Sequence, residues 1–505
     1  MRQVIMEAES LQGHLTPKDN AYLNKLDELY NKAMQQFTRL DAAADNKEKE
    51  TVIKENKMGT MPINKLIINM SLPLITSMFV QAFYNIVDSL FVSRINEEAL
   101  TAVSMSFPAQ NLMISAGTGV GVGIAALIAR YLGAKNEKGV TRVVHNGVFL
   151  GILNSILFVI FGLFFTKFYF QFQKASGIIE EYGIQYLSLC SIFAFSIIME
   201  ITFERMLIAS GKTVYTMITQ STGAIINIIF DPIFIFGLLG FPKMGIVGAA
   251  VATILGQTVS MFMALYFNIK KNQEVRFAIK KFAVNLKTIM NIYEIGFPSI
   301  IMQSTASFLI FQLNNLLASF STTATAVLGV YFKLQSFVIL PVFGLNNSVV
   351  SIVSYNYGAG KIKRLLQTVK LANVYAFSIM FIGFILCQTL PAEMLKIFDA
   401  SDNMLAIGIP ALRIISFAFL LAPFSVVSSG TFQALGKGMF SLIISLIRQL
   451  VVILPLSYLL AGIIGINGVW LSFPVAEVVG GILTVIYFKK LYNNEIMKRN
   501  IKRHR

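Results

Sequence analysis

Charge is what this chain has least of. Asp, Glu, Lys and Arg make up 13% of its 505 residues, against about 25% in soluble domains. Cysteine is nearly absent: Cys190 and Cys387 sit apart inside apolar runs, and His14, His145 and His504 are scattered. That excludes a disulfide framework and any site with metal-ligand spacing. The first long apolar run begins only near Leu66, so no cleavable leader is expected. Basic residues outnumber acidic ones, 42 to 26, for a formal net charge of +16. In a soluble protein that excess would raise nucleic acid as a partner. Here the charges lie in short connections between apolar runs, so topology accounts for them and no nucleic-acid partner is expected. What is abundant is hydrophobic, 55% of the chain, which is the composition of a polytopic membrane protein.

Residues 1–57 form a polar preamble in which Leu23, Leu26, Leu29 and Tyr30 fall at helical spacing, so a surface helix is expected over Tyr22–Leu40. Beyond Met58 come twelve apolar segments of spanning length, approximately 66–92, 104–129, 144–167, 183–207, 214–238, 246–268, 291–318, 326–352, 367–390, 405–428, 440–461 and 466–488. Basic residues crowd the connections that share a side with the N-terminus: Arg130–Arg142, Lys270–Lys287, Lys361–Lys370 and the tail from Lys489. The opposite side holds only Arg94, Lys167, Lys174, Lys243 and Lys396. That asymmetry predicts both termini in the cytoplasm.

The chain repeats itself at an offset of 225: Pro73 matches Pro298, Gln110 matches Gln335, Gly133-Ala134 matches Gly358-Ala359, and Gly211-Lys212 matches Gly436-Lys437. Past the fifth segment the offset slips, with Gly245 and Gly248 answering Gly465 and Gly468. The expected fold is therefore all-α, with two six-helix lobes related by a pseudo-two-fold axis along the membrane normal. The expected units are a cytoplasmic extension 1–57, a first lobe 58–269, a linker 270–289, a second lobe 290–488 and a basic tail 489–505. Two parallel lobes facing each other across a cleft form a transporter plan.

The repeat also exposes what the lobes do not share. Asn227 and Asp231 lie four residues apart in a run otherwise of Ile, Phe and Leu, so they share a helix face, and Pro232 loosens the backbone ladder beside them. An ionisable group at membrane depth costs about 2.5–3.5 kcal/mol on insertion scales and persists where it faces a protein interior or a watered cavity. The second-lobe partners of Asp88, Asn227, Asp231 and Thr253 are Leu313, Val452, Leu456 and Phe473. Scaffold requirements are common to both halves, so this polar set reads as functional. Two carboxylates in one buried site do not both stay ionised cheaply. Such a set suits a proton, and with amide and hydroxyl oxygens it suits Na⁺.

Other buried charges are Glu200 and Glu204, one turn apart, with Arg205 beside them: either Glu204 gates or binds a cation, or Arg205 simply runs to the interface. Lys333, Arg448 and Glu477 fall on the eighth, eleventh and twelfth segments, and a structural ion pair through Glu477 is expected. Arg413 reads as interfacial, and Glu294 as an acidic group at a helix start. Phe79, Gln81, Phe83, Glu204, Gln303, Asn314 and Lys333 are candidate lining of a substrate cavity.

Together, SLPLITSMFVQAFYNIVDSLFVSR, ARYLGAKN, NIIFDPIFIFG with GIVGAAVAT, GFPSI, YNYGAGK and GINGVWLSF resemble the multidrug and toxic compound extrusion (MATE) transporters over residues Met58–Lys490. The resemblance implies a monomeric antiporter of the bacterial inner membrane, without cofactor or catalytic residues. It would export small, amphipathic, cationic molecules in exchange for Na⁺ or H⁺. By the same resemblance Asp88, Asn227, Asp231 and Thr253 match the first-lobe cation site. The tenth segment, SFAFLLAPFSVV, lacks the acidic residue of the NorM-type branch, which favours the DinF-like or MepA-like branch. A lipid-linked saccharide flippase of the same superfamily is the alternative, expected to have fourteen helices and a basic cavity. A channel and an intramembrane enzyme lack supporting motifs.

Overall fold

A backbone without water around it must satisfy its own N–H and C=O groups, so apolar runs of about 20 residues become helices. The computed structural model describes residues 55–277, 282–398 and 400–496. The helix expected over Tyr22–Leu40 and most of the basic tail lie outside the described residues. Eleven described helices are long and apolar enough to cross a membrane, and one bent pair makes a twelfth span. They are α1 (Ile63–Ser93), α2 (Glu97–Gly133), α3 (Glu137–Phe164), α4 (Ile178–Ile192 with Ala194–Ala209), α5 (Thr213–Phe236) and α6 (Ile246–Lys271). The second six are α7 (Leu286–Ala318), α8 (Thr322–Gly358), α9 (Ile362–Thr389), α10 (Asp402–Ser416 with Ala422–Ala434), α11 (Gly438–Ile464) and α12 (Ile466–Leu491).

The repeat extends to local detail. Asn96 and Ser321, 225 apart, cap α2 and α8 by accepting from Ala99 N at 2.7 Å and Ala324 N at 3.0 Å. Spans α4 and α10 are both interrupted, the first by a 45° bend at Phe193 and the second by a 3-10 turn at Phe417–Leu420. The offset slips because α11 runs on to Ile464 and turns into α12 at Gly465, whereas α5 ends at Phe236 and α6 begins only at Ile246. Span α7 starts at Leu286 with Asn285 as its cap, eight residues before Glu294, so Glu294 lies in the third turn and not at a helix start.

The face on which α1 starts and α12 ends is termed basal here, the other distal. Within the first lobe α5 packs on α1 and α6, and between lobes α2 packs on α7 and α8, and α1 on α8. The tightest inter-lobe approaches are basal. A methyl group on Gly133 would overlap the Tyr355 carbonyl, and one on Gly358 the Arg130 carbonyl. Gly123 meets the Ile292 carbonyl in the same way, and Gly344 meets the side chain and backbone N of Ile75. Side chains add to this seal: Arg205 Nη1 donates to Asn347 Oδ1 at 3.0 Å, and Arg364 Nη2 to the Met61 carbonyl at 2.6 Å.

Candidate functional site

Span α1 presents a regular stripe to the space between the lobes: Leu74, Ser77, Gln81, Tyr84 and Asp88, each three or four residues from the last, with Asn85 beside Tyr84. Facing it are α2, α4, α5 and α6 of the first lobe and α7, α8, α10 and α11 of the second. The cavity between them is about 760 Å³, within the size range of pockets that take drug-sized ligands. Its lining near the distal ends of α1 and α2, such as Ser89 and Phe107, is exposed, while Val122, Glu204 and Ser441 at its base are buried. The cavity is therefore open on the distal side and closed on the basal side.

The polar set of the first lobe comes together at the distal end. Asp231 is fully buried and its carboxyl group lies within hydrogen-bonding reach of that of Asp88. Asn227, one turn before Asp231, has its amide oriented to satisfy both neighbours. Its Nδ2 donates to Asp231 Oδ2 at 2.9 Å, and its Oδ1 accepts from the Thr253 hydroxyl and backbone N–H at 3.2 Å each. Asp88 Oδ1 is buried without a hydrogen-bond partner. No lysine or arginine forms an ion pair with either carboxyl group among the described residues.

A second acidic pair lies deeper. Glu204 accepts from Thr219 Oγ1 at 2.6 Å and Gln220 Nε2 at 2.7 Å, and Glu200 reaches Ser260. Of the two alternatives, Arg205 does not run to an interface. It turns inward and meets Asn347 of the other lobe, because its stem packs over Gly121, where any larger residue would block it. In the second lobe Arg448 Nη1 contacts Glu477 Oε1 at 2.7 Å, the expected pair.

Of the other cavity candidates, Gln81, Glu204 and Gln303 line it, and Gln303 accepts from Ser115 Oγ across the lobes at 3.3 Å. Phe79, Phe83, Asn314 and Lys333 do not. Phe79 and Phe83 occupy the opposite face of α1 from the stripe and are 39% and 62% exposed. Asn314 lies beyond Ala306, the last α7 residue on the cavity. Lys333 is exposed, with its ammonium 5.8 Å above the Phe398 ring. Tyr84, Gln110 and Tyr186 were not anticipated at the site. Tyr84 was recoverable from its position one turn before Asp88, whereas Gln110 was masked by having a matching Gln335.

Two six-helix lobes around a cavity sealed at one face define a membrane transporter, not an enzyme. The chain belongs to the MatE family, whose model matches residues 73–233 and 298–459, one match in each lobe. It is similar to the multidrug export protein MepA of Staphylococcus haemolyticus, 28% identical over 433 residues that cover 85% of this chain and 94% of that protein. It is also similar to the FAD transporter of Shewanella oneidensis, 25% identical, covering 83% of this chain and 93% of that one. A solved outward-facing multidrug resistance MATE transporter superposes with a TM-score of 0.82 at 26% identity, covering 88% of this chain and 99% of the other.

Proposed function

We propose that this chain is a cation-coupled antiporter that exports amphipathic organic cations and related toxic compounds from the cytoplasm by alternating access. The basal face is cytoplasmic on this reading, as the distribution of Lys and Arg predicts, and the cavity then opens outward. The observation that carries the reading is the Asp88–Asp231 contact beside Asn227, buried in one lobe and free of any permanent basic partner. A carboxyl–carboxyl contact needs a proton between its oxygens, and Asn227 Oδ1 is already engaged by Thr253, so H⁺ is the better-supported coupling ion. Na⁺ on the Asp88, Asn227, Asp231 and Thr253 oxygens is the second reading. The names of the relatives join multidrug export and FAD transport, and the acidic cavity wall of Asp88, Glu200 and Glu204 favours cationic cargo here. That wall also disfavours a flippase for anionic lipid-linked saccharide.

For a neutral substrate the membrane potential alone can drive export, whereas for a monovalent cation exchanged one for one it cancels and the concentration gradient of the coupling ion supplies the drive. One charge crossing 100 mV releases about 2.3 kcal/mol, and 1.4 kcal/mol is about tenfold in gradient, so one cation per cycle sustains a ratio of roughly fortyfold for a neutral substrate. The test is dye export from proteoliposomes under an imposed pH gradient and, separately, an imposed Na⁺ gradient. The expected result is export driven by the pH gradient and lost in Asp88→Asn and Asp231→Asn. Wild-type rates in both variants would overturn the coupling assignment.

A further inference from the structure

The lobes differ a second time, in the opposite sense of charge. At the offset of 225 the first-lobe partner of Arg448 is Gly223, and with the slipped offset of 220 the partners of Glu477 and Gly480 are Gln257 and Ser260. In the first lobe α5 and α6 close up at this point, and a methyl group on Gly223 would overlap Ser260 Oγ and approach Gly256 O to 3.0 Å. In the second lobe the small residue is on the other helix. Gly480 leaves room for the arginine stem, with Arg448 Cδ 3.3 Å from where a Cβ would stand. The equivalent first-lobe position is a glycine packed against α6, so the shared repeat does not itself dictate a cation at this point.

Arg448 sits at the start of a π-helical stretch in the middle of a span, Ile447–Ile453, whereas the other one described, Tyr492–Ile496, lies at the end of the last span. A π turn rotates the residues around it relative to an α-helical course and recurs at functional sites. Pro455, just beyond, has no N–H to continue a regular ladder. The side chain lines the cavity, and its only hydrogen-bond partner among the described residues is Glu477 Oε1 through Nη1. The remaining guanidinium edge meets no acceptor among the described residues. A guanidinium carries five donors in a planar fork suited to carboxylate or phosphate, and one is used. Glu477 balances the charge from behind and does not line the cavity. Gln449, the next residue, has a buried Oε1 without a partner.

We infer that Arg448 is the second lobe's recognition group for an anionic substituent, a carboxylate or a phosphate, on molecules whose cationic end is held by the acidic first-lobe wall. The cavity therefore takes amphoteric cargo as well as simple cations, with Arg448 setting the preference between them. This rests on the export reading above. An isolated anion is disfavoured, because Glu200 and Glu204 share the same cavity.

Rhodamine 110 and its methyl ester rhodamine 123 test this. They share one ring system and one cationic centre and differ in whether the carboxylate is free. In proteoliposomes under a fixed gradient, the measured quantity is the ratio of initial export rates, free acid to ester. Arg448→Gln is expected to lower that ratio about tenfold, and Arg448→Lys to keep it within about threefold of wild type. An unchanged ratio in Arg448→Gln, whether both rates fall together or neither does, overturns the assignment and makes the Arg448–Glu477 pair purely structural. A wild type that exports the ester but not the acid also overturns it while leaving the export reading intact. A wild type that exports neither dye under either gradient removes the export reading itself.

Discussion

Adding one methyl group at the basal seam should unseal the transporter. A Cβ on Gly133 meets the Tyr355 carbonyl oxygen, with Tyr355 C at 2.8 Å and Ala359 N at 2.9 Å, all atoms of the other lobe's backbone. Backbone cannot rotate away as a side chain does, so the helices must part. Overpacking of this kind costs about 1–3 kcal/mol. The cost falls on the sealed state alone, because α2 and α8 separate when the lobes part at the base. Gly133→Ala should therefore shift the conformational equilibrium by about five- to 150-fold toward the basally open form. The symmetric Gly358→Ala, which meets Arg130 O, should act in the same direction. The two together should fall short of additive, since they share one contact. The assay places spin labels at Lys138→Cys and Lys363→Cys, exposed residues 225 apart that straddle the seam. The background replaces the buried Cys190 and Cys387. Electron–electron distance measurements should show a longer component in Gly133→Ala. A distribution identical to that of the parent, from folded protein, would refute the claim that this close approach decides which face is closed.

Three further outcomes follow from the same contacts. Asn227→Ala removes the hydrogen bonds to Asp231 and Thr253. A hydrogen bond to a charged group contributes about 1.5–3 kcal/mol, so gradient-driven export measured at saturating dye should fall at least about tenfold, and undiminished export would show that the bridge is dispensable. Arg205→Ala breaks the inter-lobe bond to Asn347 and should lengthen the same spin-label distance, whereas an unchanged distance would mean the arginine does not help hold the seal. Trp470, with no exposed surface, should cost about 3–5 kcal/mol as Trp470→Ala, read as a lower midpoint of thermal unfolding in detergent. Trp470→Phe should cost much less, because the indole N–H has no partner to lose, and equal midpoints for the two variants would contradict that.

The parts of the molecule legible in the sequence were those written in period and composition. Twelve apolar runs became twelve spans because water-free backbone has few alternatives, and the first-lobe polar set was visible as positions where an otherwise shared pattern stopped. Which side of a helix faces the cavity was harder to see. Phe79 and Phe83 lie on the lipid side of α1 although they resemble cavity residues by type, since lipid tails are as apolar as a protein interior and give no hydrophobic contrast between faces. The only contrast on α1 was the polar stripe of Ser77, Gln81, Asn85 and Asp88, and following its spacing would have rejected both phenylalanines. The bend at Phe193 had no proline or glycine at the break to announce it. The Arg205–Asn347 bond depends on how the lobes dock, which no single segment encodes.

The two kinds of symmetry, kept and broken, divide the labour of the cycle. The backbone contacts of the seam come from residues the lobes share, Gly133 with Gly358 and their reciprocal carbonyl contacts, so this part of the closure treats both lobes alike. The proposed ion site is built from residues they do not share, so on that reading loading an ion acts on one lobe only. A one-sided signal reaches a two-sided seal only through an element that touches both, and α1 is such an element. Its distal part carries Asp88, and its basal part packs Ile75 against Gly344 of α8, where a Cβ would stand 2.8 Å from the isoleucine side chain. Thirteen residues separate the two points, about 20 Å of helix. Pro73 lies just basal of that contact and removes the backbone bond that would stiffen it. On the proposed mechanism, protonating the carboxyl pair changes how α1 sits against α5, and the packing at Gly344 passes that change to the second lobe. Replacing Gly344 with alanine should then weaken coupling without touching any ion-binding group, and export that keeps its full dependence on the gradient in Gly344→Ala would break this chain of reasoning at its middle link.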